Sequence, residues 1–246
     1  LIYILLIITP SISYSQSVKK AYKLYEKGDA IKFKESLEKM DEKAIESTGK
    51  FYLYSLFYLL DNEIRDNVDS SFFFIKKSKE LYPMATAKEM ETLQELKITI
   101  ESLDSVSSAI DSLEYNFVLK ENTIEEYRGY MQDHNLSKFY LSAKENWHSL
   151  EFKNSSIINT WMSYKKFMDS FPSSREYDMA KSRYEELIFF DKTADMRLSS
   201  FEIFLEDNPT TPYRDSVEYI ILKYYSILNS PDNYKKFIKK YTESVH

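Results

Sequence analysis

Thirty-nine carboxylates and three histidines are the groups in this 246-residue chain with the chemistry for acid–base catalysis or metal ligation, and their spacing argues against both. Cleaving a glycosidic bond needs two acids facing one another across the bond. Glu185 with Glu186, and Glu202 with Asp207, are nearby pairs. However, neighbours at i and i+1 point to different sides of a helix, and close pairs arise by chance among so many acids. His134, His148 and His246 form no HExxH and no other paired-ligand spacing. The chain has no cysteine, which removes thiol catalysis, iron–sulfur clusters and zinc ribbons. Gly28, Gly49 and Gly129 lie too far apart to build a phosphate cradle or a dinucleotide fingerprint. No GxSxG elbow can be written either. The expectation is a protein with no catalytic residue, no metal and no cofactor.

A net charge of −6 argues against nucleic acid as a partner, because such binding needs a concentrated basic surface to displace counterions. Lysines do cluster at Lys76-Lys77, at Lys165-Lys166 and between Tyr234 and Tyr241. Their interleaved aromatics fall at helical spacing, so these segments read as amphipathic helices with a solvated basic face.

The elements that must position any site are helices. Three glycines against 21 tyrosines and 16 phenylalanines suit helices packed through aromatic side chains, since sheets consume glycine in turns and bulges. Residues 1–15 read differently. The apolar run Leu1–Pro10 is followed by SISYSQS, with no charge before Lys19. It is too short to span a bilayer, which takes roughly 20 residues. Small residues at Ser13 and Ser15 fit signal-peptidase cleavage before Gln16. A basic n-region is expected to precede Leu1. Export follows, to the periplasm or the outer membrane, with no integral membrane segment and no lipid anchor through cysteine.

Internal repetition organises the rest. Tyr164-x-x-Phe167-Met168 leads to Phe171-Pro172, and 37 residues on Phe201-x-x-Phe204-Leu205 leads to Asn208-Pro209. Stepping 37 back gives Tyr127-x-x-Tyr130-Met131 before His134-Asn135, and Tyr234-x-x-Phe237-Ile238 is a fourth copy 33 residues after the third. Ala143, Ala180 and Val217 keep the 37-residue step, as do Trp147, Tyr184 and Ile221. Each unit therefore reads as two helices. Asn122 with Glu125 and Ser173 with Glu176 fit capping boxes, while Thr211-Pro212 and Ser230-Pro231 place a cap before an N1 proline. Ile157, Trp161, Tyr164, Met168 and Phe171 mark one buried stripe. Trp147 and Trp161 occupy repeat positions held elsewhere by large apolar residues, so they read as core.

This pattern resembles tetratricopeptide repeats, particularly the 37-residue type of Tol–Pal-associated and outer-membrane-assembly proteins. Phe167–Pro172–Ala180 and Phe204–Pro209–Val217 carry that resemblance. A fainter copy runs through Leu24, Gly28-Asp29, Phe33, Leu37 and Met40, then Ser71, Ile75, Ser78 and Pro83. Asn122-Thr-Ile-Glu125 and Thr211-Pro-Tyr-Arg214 also resemble exported repeat proteins of Bacteroidetes-type bacteria. The resemblance implies an all-α helix-turn-helix solenoid forming a right-handed superhelical array. Its expected parts are a signal peptide at 1–15, helical pairs at 16–83, an inserted helix at 84–98, and 37-residue repeats at 99–246. His148, Glu185 and Leu222 stand where the family places glycine or alanine, which implies wider helix spacing. The apolar face near 231–241 implies an array continuing beyond His246.

Function follows from the same resemblance. It implies a cell-envelope scaffold holding a protein or peptide on a concave face, lined by Glu145, Ser149, Ser182, Glu186, Tyr219 and Lys223. Two other readings fit the residues: a spacer or oligomerisation arm for a further module, and a glycan or peptidoglycan binder.

Overall fold

The structure is a computed structural model that describes residues 10–41, 46–227 and 230–246, with side chains from residue 15 onward. Among the described residues the chain is all-helical, with thirteen α-helices, two single-turn 3-10 helices and no strand. It divides into two compact units, residues 1–143 and 144–246. Residues 1–9 of the expected signal peptide lie outside the described residues. The first helix, α1 (Pro10–Glu26), runs through the expected cleavage position at Ser15 and Gln16.

The first unit continues with α2 (Ala30–Asp41), α3 (Thr48–Tyr58), α4 (Arg65–Leu81), α5 (Ala87–Glu95), α6 (Ile100–Glu121) and α7 (Ile124–Asp133). Gly28 stands between α1 and α2 with φ of +69°, a left-handed conformation that costs glycine nothing. Asp29 then accepts from the Lys32 amide at 3.1 Å, which starts α2. Phe33, Leu37 and Met40 of α2 are buried with Val18, Ala21 and Leu53, each large side chain contributing about 1.5–3 kcal/mol. Helices α3 and α4 approach closely because small residues face each other. Ser71 Oγ donates to the Ser55 carbonyl at 2.9 Å, and Ser78 Oγ to the Thr48 carbonyl at 2.9 Å. The segment 84–98 contains α5, whose cap Thr86 accepts from the Glu89 amide.

The second unit is built from most of α8 (Tyr140–Ile158), then α9 (Trp161–Ser170), α10 (Tyr177–Thr193), α11 (Leu198–Asp207), α12 (Arg214–Ser226) and α13 (Pro231–Lys240). From α9 onward each helix packs on its neighbours in the chain. Phe201, Phe204, Leu205, Val217, Ile221 and Phe237 form one buried cluster, and Tyr164, Phe167 and Ala180 another. Trp147 and Trp161 are half-buried at helix contacts. Their indoles donate at 3.1 Å to Glu151 and to Asp191.

Backbone geometry repeats with the sequence. Asn122, Asn159 and Met196 are all left-handed, with φ of 50°, 52° and 53°, and the next helix starts two residues later. After each aromatic-pair helix one turn recurs. The amides of His134, Phe171, Asn208 and Tyr241 close the helix on Tyr130, Phe167, Phe204 and Phe237 at 2.8–2.9 Å. A hydroxyl three residues later folds the chain back, accepting from the amide two residues on: Ser137, Ser174, Thr211 and Ser244. These turns shift three of the expected caps. Left-handed Asn122 ends α6, so Thr123 and not Asn122 caps α7. Ser173 caps no helix: its neighbour Ser174 serves inside the turn, as Thr211 does in the next, and α10 and α12 begin only at Tyr177 and Arg214. Pro231 does open α13, but Ser230 makes no side-chain cap bond.

Candidate functional site

The six residues expected to line a groove stand on α8, α10 and α12, at matching positions of successive repeats. Glu145, Ser182, Tyr219 and Lys223 are exposed, while Ser149 and Glu186 are half-buried. On α10, Ser182 and Glu186 line a shallow depression of about 470 Å³ with Asp178, Met179 and Arg183. Arg183 Nη1 donates to Glu186 Oε2 at 2.5 Å, so that carboxylate is already paired. On α12 the Lys223 ammonium sits 4.4 Å from the centre of the Tyr219 ring. The His246 ring lies 5.2 Å from the same tyrosine. Among the described residues, no hydrogen bond, ion pair or ring contact joins the α10 pair to the α12 pair.

Ser149 has a different surrounding. Its hydroxyl donates to Glu176 at 2.6 Å and accepts from Arg175 at 2.8 Å. Ser174 also donates to Glu176, at 2.5 Å. Burial raises the Glu176 carboxyl, but hydrogen bonds from Arg175, Ser149 and Ser174 outweigh it and hold the pKa at about 2. Ser149 thus helps to anchor the start of α10. His148 is buried against Phe171 with ring centres 4.6 Å apart.

The first unit holds a cleft that the reading of the sequence did not foresee. Helices α4, α6 and α7 enclose about 350 Å³ lined by Arg65, Asp69, Phe72, Glu114, Glu125, Glu126, Asp133 and His134, among others. Arg65 Nη2 donates to Glu126 at 2.5 Å. Glu114 is 6% exposed. Burial, and then the charge and hydrogen bond of Asp69, push its carboxyl up to about 8. His134 lies between two rings, Phe72 at 4.3 Å and Tyr130 at 4.6 Å. Its Nδ1 is 3.1 Å from Asp111 Oδ1. The Tyr130 and Ser137 hydroxyls donate to the same carboxylate at 2.6 and 2.8 Å. Burial lowers the imidazole pKa, against the pull of Asp111.

The sequence carried one signal of this cleft. His134 takes the turn position filled elsewhere by Phe171, Asn208 and Tyr241, the only titratable imidazole at that place in the repeat. The acids come from segments too far apart for spacing to unite them. Among the described residues, no group of three or more His, Asp or Glu has the arrangement of a metal site. Nor is any described helix long and apolar enough to cross a membrane.

No protein-family model matches the chain, and no curated protein sequence matches it.

Proposed function

We propose that the chain is a tetratricopeptide-like solenoid of the cell envelope that holds a protein or peptide segment along α8, α10 and α12, without catalysing a reaction. The observation that carries this reading is the recurrence of the left-handed residue and the Ser/Thr turn at the 37-residue step. Equal turns set successive helix pairs in equal register, and stacked pairs of that kind bury a continuous core and leave one extended face. Ser182 with Glu186 and Tyr219 with Lys223 take equivalent places on that face. They offer the Arg183–Glu186 pair on one helix and the Lys223 ammonium beside Tyr219 on the next, which suits a polar, extended partner. Export through residues 1–15 would bring the scaffold to its partner in the periplasm or at the outer membrane.

The test is capture from envelope extract by immobilised protein, beside a variant carrying Glu186→Lys and Lys223→Glu whose helicity is checked by circular dichroism. The proposal expects one prey retained by the wild type and lost by the folded variant. Equal retention by both would sink the assignment of the face. Retention of nothing by either would sink the scaffold itself.

A further inference from the structure

We propose that a cavity between α9, α10 and the turn after α11 binds a small neutral molecule built on one aromatic ring with a hydrogen-bond donor. The chain itself shows what fits there, because three of its four equivalent turns fill the place with a ring of their own. The residue that closes each aromatic-pair helix is His134, Phe171, Asn208 and Tyr241 in turn. His134 stacks on Tyr130 with ring centres 4.6 Å apart, Phe171 lies 5.3 Å from Phe167, and Tyr241 5.1 Å from Phe237. Each ring also packs on the helix before: His134 on Asp111 of α6, Phe171 on Trp147 and His148 of α8, and Tyr241 in one cluster with Ile221 of α12.

Asn208 brings no ring. Its Nδ2 donates to the Phe204 carbonyl at 3.0 Å, back on its own helix. Backbone shape is not the reason, since φ is −119°, −132°, −127° and −121° at the four positions. The place left open is a cavity of about 330 Å³, at the lower end for a small-ligand site. Tyr184 and Glu185 line it, and they stand 37 residues after Trp147 and His148, the side chains that hold Phe171. Met168 and Ile188 add apolar wall, which a flat ring covers well. Walled by two helices and a turn, the cavity takes a single ring and not a chain passing through, which points to a free small molecule.

The donor on the ligand follows from Glu185. Its counterpart two repeats earlier, Asp111, meets the ring of His134 at Nδ1, 3.1 Å away. Glu185 offers the same kind of acceptor, half-buried, and Lys181 Nζ stands 4.0 Å off, beyond hydrogen-bond reach. A ring O–H or N–H would satisfy it. Lysines and carboxylates alternate round the rim, and Lys165 is already paired with Asp169 at 3.0 Å, which favours a neutral ring. This cavity lies on the other side of α10 from Ser182 and Glu186, so it stands whether or not that face binds a partner.

The experiment is NMR of the full chain, isotope-labelled at its eight methionine methyl groups, of which Met168 lines the cavity. A bound aromatic ring shifts a methyl beside it through its ring current. Phenol is the probe. Benzene keeps the plane without the donor, and cyclohexanol, read by its competition with phenol, keeps the donor without the plane. Phenol should shift Met168 saturably, benzene should bind about tenfold more weakly for want of one charged hydrogen bond, and cyclohexanol should not compete. Asn208→Phe supplies the missing ring from the chain, so the free variant should already show the shifted Met168 resonance and should no longer respond to phenol. Glu185→Leu, which copies Leu222 one repeat on, should bring phenol down to the affinity of benzene. The proposal is overturned if Met168 does not respond to phenol, if cyclohexanol competes equally, or if Asn208→Phe binds phenol like the wild type. Tighter binding of the peptide Ac-Gly-Tyr-Gly-NH2 than of phenol would overturn the assignment to a free small molecule.

Discussion

Glu114 and Glu176 are both almost fully buried carboxyls, yet their surroundings drive them in opposite directions. Glu114 meets another acid, and burial with that neighbour pushes its pKa from the ordinary carboxyl value of 4.5 up to about 8. Between those values the folded state holds the extra proton, so stability falls as pH rises across that window. Replacing Glu114 with Gln removes this titration. The wild type should lose about 4 kcal/mol relative to the variant between pH 5 and pH 9, measured by urea denaturation. Glu176 meets three donors, and its pKa falls to about 2. Its contribution is fully present above the unfolded value and is lost as pH falls from about 4.5 towards 2. Glu176→Gln should cost roughly 1–3 kcal/mol at pH 7 and much less at the acid end. The sequence suggested neither role. Glu176 was legible as the last residue of a capping box, but the donors that shift its pKa are its neighbours Arg175 and Ser174 together with Ser149, a helix away. Asp69 and Glu114 are 45 residues apart, and only the packing of α4 on α6 joins them.

Helices and turns were more open to reading than side-chain networks. The aromatic pairs Tyr164/Phe167 and Phe201/Phe204 are buried as their i, i+3 spacing requires. Ser71 and Ser78, picked out as small residues of a faint repeat, are the points where α4 nears α3. What the spacing missed is the punctuation: the left-handed residue at 122, 159 and 196, and the hydroxyl at 137, 174, 211 and 244, of which only Asn122 and Thr211 stood out, and those as helix caps. Asn tolerates the left-handed region and so announces it weakly, whereas Met196 gives no signal at all. That residue pays about 1 kcal/mol for its backbone. Met196→Gly, at an exposed position, should therefore raise stability by about that much in a thermal or chemical melt. Gly49 behaves oppositely. A Cβ there would come within 3.0 Å of Val18 Cγ1, a branched side chain with little freedom to move. Gly49→Ala should destabilise the first unit by about 1–3 kcal/mol.

At the scale of the whole molecule, the all-helical architecture was readable from composition alone, because a chain so poor in glycine and so rich in tyrosine has few other ways to fold. Two compact units were not, since α8 runs unbroken across the division between them and no proline, glycine or polar run marks the place. In the scaffold proposed above, α10 and α12 offer one face to one partner. Photo-crosslinking tests it without assuming the partner's identity. A benzophenone amino acid replaces Ser182, Lys223 or, as a control, the exposed Lys165 of α9, and cells are irradiated before the adducts are identified. The same adduct is expected from Ser182 and Lys223 and none from Lys165. Adducts of equal yield from all three positions, or different proteins from Ser182 and Lys223, would contradict it.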